Sequence, residues 1–265
     1  LIDVLTFTGN YPYRKIRVGI NDIVRIIKPE GFTDIFVIKF ESLFYKDFNE
    51  GNRELLNEYM ESTWRKDDVE IYLLAGVNPF YISSVNDIKK FSENFKGLVI
   101  APLFHGFNLS CNRVVSIIRV ANDVGLPVLI LGYLEDIREM HRAYKFRHSL
   151  SIEKIKDFFE LIKKYNEKPR LALISFPFKI LSELANDINK LTIYTDVSYE
   201  DVYGPIYDYV KILVENIGED LIVFASKTPL TYIKCVLFKV LYSEIDEYKK
   251  EKILKQNAKK FFDLK

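Results

Sequence analysis

Eight short apolar runs, each followed by a stretch of helical period, constrain this chain more than any other feature. The runs are IDVLTF (2–7), DIFVIKF (34–40), EIYLLAGV (70–77), GLVIAPLF (97–104), PVLILGY (127–133), RLALIS (170–175), LTIYTDVS (191–198) and DLIVFAS (220–226). They are rich in β-branched residues and lack clean period-two alternation, which suits parallel strands covered on both faces. Between them the apolar spacing becomes helical, most clearly at Asn21–Ile27, Ser84–Asn94, Arg113–Val124, Ile152–Tyr165, Phe178–Ile188, Ile206–Asn216 and Leu230–Leu241. Glycine turns at EGFTD (30–34), NFKGL (94–98), DVGLP (123–127) and NIGED (216–220) end helices just before strands. Eight strand–helix units over about 250 residues are the inventory of a (β/α)8 TIM barrel, an α/β fold. An open doubly wound sheet is the alternative arrangement. No linker, repeat or low-complexity segment interrupts the pattern, so residues 1–265 are expected to form one domain.

Composition narrows the function classes. Apolar residues make up 48% of the chain and aromatics 14%, enough for a large core. The net charge is +1 with both signs mixed along the sequence, which leaves no electrostatic footprint for nucleic acid or an acidic membrane. No apolar run reaches membrane-spanning length and no leader-like segment opens the chain, so a soluble cytoplasmic protein is expected. Cys111 and Cys235 are far apart and are expected to be free and reduced. The single glutamine, with abundant Lys, Glu and Ile, matches a heat-adapted composition.

Several stretches resemble the amidohydrolase superfamily of metal-dependent TIM-barrel hydrolases, in particular its amidohydrolase-2 branch, which also holds decarboxylases. IDVLTFTG (2–9) is similar to the family's opening I-D-x-H-x-H-x-G. GNRELL (51–56) and GVNPF (76–80) resemble its N-x-x-L helix and the G-x-x-x-P end of its third strand. GLPVLIL (125–131) resembles G-L-P-V-x-I-H, and IYTDVS (193–198) resembles the seventh strand. LIVFASKTP (221–229) resembles L-L-F-G-S-D-x-P, and NAKKFFDL (257–264) the closing N-A-x-R-L-F-x-L.

The resemblance implies a metal held by histidines and an aspartate, but the matching positions do not carry them. The two first-strand histidines fall on Leu5 and Phe7, the fifth-strand histidine on Leu131, the sixth-strand histidine near Ile174 or Ser175, and the eighth-strand aspartate on Lys227. Zinc-like ions need three or four N/O ligands, whereas Leu and Phe have no lone pairs and an ammonium only donates. No metal and no other cofactor is therefore expected. Leu5, Phe7, Leu131, Ser175 and Lys227 are expected to line whatever pocket remains, with the apolar three filling the barrel top.

Three polar groups are left as weak catalytic candidates: Lys227, His105 and Asp196. Lys227 is read either as paired with Asp3, Asp196 or Glu135, or facing solvent, or as a desolvated nucleophile or base. His105, in PLFHGF, follows the fourth strand on the expected pocket side. His141 and His148 lie in a basic segment after the fifth strand that would serve as a lid. Aromatic residues in KFESLFYKDFNEGN (39–52) and NPFYIS (78–83) would give an apolar mouth for a small-molecule ligand, covered by a lid or by a second copy of the chain. A non-catalytic barrel kept for ligand binding or assembly is therefore expected. Its alternatives are a metal-independent hydrolase or lyase using Lys227 with His105, and a metal-dependent hydrolase with non-standard ligands.

Overall fold

A computed structural model describes residues 1–64, 69–81, 84–135, 150–164, 168–199 and 208–265. Nine strands run β1 (Ile2–Tyr11), β2 (Ile16–Val18), β3 (Asp34–Lys39), β4 (Glu70–Gly76), β5 (Gly97–Ile100), β6 (Val128–Leu131), β7 (Leu171–Ile174), β8 (Tyr194–Asp196) and β9 (Ile222–Val223). They form one sheet in the order β2-β1-β3-β4-β5-β6-β7-β8-β9. Among the described residues the pairs from β1–β3 round to β8–β9 are all parallel, and the β1–β2 hairpin alone is antiparallel.

The two ends of the parallel run meet. Val4 N donates to Phe224 O at 2.9 Å, Lys227 N to Leu5 O at 3.0 Å and Phe7 N to Thr228 O at 2.8 Å. These bonds tie the segment after β9 to β1 and close the cylinder, so the barrel, not the open sheet, is the fold. All eight expected strands are present. Most of them are buried on both faces, wholly so in Leu98–Ile100 and Leu171–Ile174, which explains why the sequence lacks period-two alternation.

The helices cover the outside by simple stripes. In Asn112–Asp123 the buried residues are Val114, Val115, Ile117, Ile118 and Ala121, one face of a 3.6-residue period. Three departures from expectation have local causes. The run GLVIAPLF stops being a strand at Ile100, because Pro102 starts the short helix Pro102–His105. Segment 39–52, expected only as an aromatic element of the mouth, is largely helical: it holds the short helix Glu41–Phe44 and the start of the helix Phe48–Glu61, whose Asp47 cap accepts from Asn49 N at 3.0 Å. And β1 runs past the barrel rim to Tyr11. At Gly9, with φ +93°, a side chain would meet the Glu41 carboxylate, so only glycine lets the strand turn there against Glu41.

The GNRELL motif has a structural role. Asn52 Nδ2 donates to Gly76 O and Gly76 N donates to Asn52 Oδ1, both at 2.9 Å, so one buried amide completes the end of β4. Asn52→Ala leaves both backbone groups unpaired, and urea unfolding should show a loss of about 2–4 kcal/mol. An unchanged midpoint would remove Asn52 from this role.

Candidate functional site

The C-terminal ends of the strands divide into an apolar and a polar half. On the apolar side Leu5, Phe7 and Leu131 are fully buried. Phe7 stacks on Phe40 with ring centres 4.8 Å apart, and Tyr11 packs on Phe40 at 5.1 Å. Leu131 pairs in register with Ile174. These side chains of leucine and phenylalanine have no donor or acceptor atoms and fill the space they occupy.

The polar half spans the consecutive ends of β7, β8, β9 and the interior of β1. Lys227 is only 3% exposed, and its ammonium Nζ donates to Ser175 Oγ at 2.8 Å. Asp196 fixes the surroundings: its Oδ1 accepts from Ser175 N at 2.7 Å and its Oδ2 from Ser198 N at 3.0 Å. Asp3 accepts on Oδ1 from Leu5 N at 3.2 Å and from Ser226 N at 2.9 Å. Ser226 Oγ in turn donates to Thr228 Oγ1 at 2.7 Å. Ser175 and Lys227 both adopt the left-handed backbone, φ 59° and 58°, a conformation unfavourable for side-chain-bearing residues and concentrated at functional sites.

Burial dominates the electrostatics. It pushes the Asp3 carboxyl up to about 7, against its hydrogen bonds from Ser226 and Leu5, and the nearby charge of Asp196 adds to the rise. Burial also raises Asp196, opposed by the bonds from Ser198 and Ser175 and by the positive charge of Lys227. Two desolvated carboxyls and one buried lysine thus share a small volume, and the lysine is the favourable charge in it.

The remaining candidates separate. Lys227 is not solvent-facing. Glu135 serves other groups: Tyr11 Oη donates to its Oε2 at 2.5 Å, and Arg14 Nε lies 2.7 Å from its Oε1. His105 Nε2 donates to Leu43 O at 3.0 Å, so it is anchored to the short helix after β3, and burial lowers its pKa. Among the described residues no contact joins His105 to Lys227, which takes His105 out of the paired role expected for it. His141 and His148 lie outside the described residues. The aromatic mouth includes a groove of about 610 Å³ lined by Phe44, Tyr45, Lys46, Asp47, Glu50 and Tyr81. Among the described residues the most exposed aromatics are elsewhere, at Tyr232 and Tyr242 flanking the helix Ile233–Leu241. The partnership of Ser175 with Lys227, and the whole Tyr11–Arg14–Glu135 group, escaped sequence reading, since left-handed backbone at a serine or lysine leaves no mark in residue type.

No family model matches the sequence, and no curated protein matches it either. Solved structures do match over nearly their whole length. A 2,6-dihydroxybenzoate decarboxylase from Rhizobium superposes with a TM-score of 0.72 at 11% identity, covering 100% of this chain and 99% of that one. A 5-carboxyvanillate decarboxylase from Novosphingobium aromaticivorans, complexed with manganese and 4-hydroxy-3-methoxy-5-nitrobenzoic acid, gives 0.70 at 13%, covering 99% and 96%. An amidohydrolase II gives 0.70 at 10%, covering 99% of each chain.

The manganese of the second structure invites a fit test. Among the described residues no group of three or more His, Cys, Asp or Glu is placed to hold an ion. Leu5, Phe7, Leu131 and Lys227 offer no lone pair at the strand ends, Asp196 is engaged on both oxygens by backbone N–H groups, and the one carboxylate oxygen left over, Asp3 Oδ2, is a single ligand atom where three or four are needed. These residues do not fit such an ion. The expectation of a non-catalytic barrel is nevertheless corrected. The three solved structures above, which share this fold, are two decarboxylases and an amidohydrolase by name, and the strand ends here carry a connected charged cluster beside the apolar filling. The chain has the (β/α)8 fold of amidohydrolase II and these decarboxylases.

Proposed function

We propose that this chain is a metal-independent enzyme of the lyase or hydrolase class, acting on a small molecule, with Lys227 as its central charged group. The observation that carries the reading is the buried Lys227 Nζ bonded to Ser175 Oγ, on the polar side of the barrel top and within the field of Asp196. A fixed cation in a closed site stabilises negative charge as it develops, and such preorganised electrostatics supply most of the rate enhancement of many enzymes. The ammonium also holds a proton that can be passed to a carbanion.

Decarboxylation is the reaction to test first, because the fold's solved relatives include decarboxylases of carboxylated phenols. In that reaction the carbon–carboxylate bond breaks, carbon dioxide leaves, and the bonding electrons remain on the substrate carbon. The Lys227 ammonium supplies the proton that carbon takes up, and solvent restores it. Ser175 accepts the lysine's hydrogen bond and keeps its own O–H for the substrate anion.

The test is carbon dioxide release from 2,6-dihydroxybenzoate, 5-carboxyvanillate and related acids, with a lactone panel for hydrolysis, each run with and without a chelator. Turnover unaffected by chelation is expected. A folded protein that turns over none of these compounds, or only after metal is added, would contradict the proposal.

A further inference from the structure

We infer that the β1–β2 hairpin is a strap latched across the barrel mouth, and that Glu135 and Arg14 are its fastening. Geometry alone supports the strap, independently of the function proposed above. The hairpin is additional to the eight-stranded cylinder: β1 continues to Tyr11 and turns back into β2 at Ile16. Nothing in barrel closure requires it.

Its contacts reach away from its own strand. β1 is the first strand of the cylinder and β6 the fifth, so the loop after β6 lies four strands away in either direction round the barrel. Just after β6, Glu135, with only 2% of its side chain exposed, accepts a hydrogen bond from Tyr11 Oη on Oε2 at 2.5 Å and forms an ion pair with Arg14, whose Nε lies 2.7 Å from Oε1. One carboxylate thus holds two hairpin side chains from the far rim.

Arg14 makes a second crossing. Its Nη2 donates to Leu230 O at 3.0 Å, and Leu230 N donates to Lys227 O at 2.9 Å. The guanidinium therefore bridges the loop after β6 to the turn that carries Lys227. Beneath, Tyr11 rests on Phe40, which stacks on Phe7 in the barrel. Asn10, whose N and Nδ2 both donate to Glu41 Oε1 at 3.0 Å, fixes the hairpin's base. A base pinned at Glu41 and a tip pinned at Glu135 and Leu230 describe a strap with a hinge at Gly9, where φ is +93°. Lys227 is 3% exposed in this arrangement, while Arg14 keeps 34% of its side chain in solvent, so the fastening can be reached from outside.

The strap makes access to Lys227 depend on release of Glu135. The experiment is pulsed reductive methylation with formaldehyde and borohydride, followed by peptide mass mapping. Lys234, whose side chain is 62% exposed, serves as the internal standard. Lys227 should be modified at least tenfold more slowly than Lys234 in the natural protein. Glu135→Ala and Arg14→Ala should each raise the Lys227 rate about tenfold and leave Lys234 unchanged. The double variant should add little, since both residues close one fastening. Tyr11→Phe removes only a hydroxyl and should give a smaller increase in the same direction. If Glu135→Ala does not fold, Arg14→Ala and Tyr11→Phe decide alone, because one side chain is partly in solvent and the other change is isosteric. A Lys227 rate unchanged in these folded variants, or already equal to that of Lys234 in the natural protein, would overturn the strap. Loss of protection without any enzymatic turnover would retain the strap and count only against the proposed function.

Discussion

Lys227→Met should lower turnover by about a thousandfold or more while leaving the chain folded, as expected when a preorganised cation is removed from a closed site. Methionine matches the length and flexibility of the lysine stem and takes the same backbone, so the left-handed φ of 58° is no harder to hold than before. What disappears is the charge beside Asp196 and the hydrogen bond to Ser175 Oγ. Asp196 then lacks the cation that favours its ionised form, so its pKa is expected to rise further. Lys227→Arg restores charge but brings a planar fork into a space shaped for a compact ammonium, and should recover little activity. Ser175→Ala keeps the cation and should lose only about ten- to a hundredfold. Equal losses for Ser175→Ala and Lys227→Met would mean that the hydroxyl, not the ammonium, bears the chemistry.

The second large effect is on stability. The Asp3 carboxyl is fully buried and is raised to about 7 from an ordinary value of 3.8. Between those values the unfolded chain has released this proton and the folded chain still holds it. The folded state therefore binds more protons, and stability falls as pH rises through that window. Burial raises Asp196 in the same direction, so its contribution has the same sign. About three pH units at about 1.4 kcal/mol each give a loss of about 4 kcal/mol for Asp3 between acidic and mildly alkaline solution. Asp3→Asn carries no charge at any pH, and its side-chain oxygen can still accept from Leu5 N and Ser226 N. Urea unfolding at pH 4.5, 6 and 8 should find it close to the natural protein at pH 4.5 and more stable by about 2–4 kcal/mol at pH 8. A difference that stays the same at all three pH values would show that Asp3 is not the group responsible.

Much of the fold was legible because barrel strands write themselves as short apolar runs separated by helical ones. Each of the eight runs contains a strand, and Gly31, Gly125 and Gly218 take the left-handed φ expected of helix-ending turns. Gly97, in the fourth such turn, does not. It lies inside β5, where a side chain would press on Leu74 and Phe262, so its role is close packing. The β1–β2 hairpin was missed because TFTGNYP reads as a strand running into a glycine turn. The continuation to Tyr11 depends on the distant carboxylate of Glu41, which receives Asn10.

The site was half legible. Residue types at the strand ends pointed to Leu5, Phe7, Leu131, Ser175, Asp196 and Lys227, and that was enough to question a family metal. Which of them meet was not readable. Lys227 Nζ meets Ser175 Oγ from left-handed backbone four residues past β9, Ser175 itself being left-handed just after β7, and Glu135 is held by a tyrosine and an arginine more than a hundred residues earlier in the chain. His105 looked like a partner for Lys227 from its place after the fourth strand. The helix begun by Pro102 instead sets it against Leu43.

The most direct test of an enzyme built on Lys227 in place of a metal measures ion content and turnover on the same sample. The protein is produced with manganese in excess, stripped with a chelator and assayed before and after. Turnover that persists with far less than one ion per chain is the predicted result. One tightly held manganese per chain, with turnover lost on stripping and regained on its return, would contradict it.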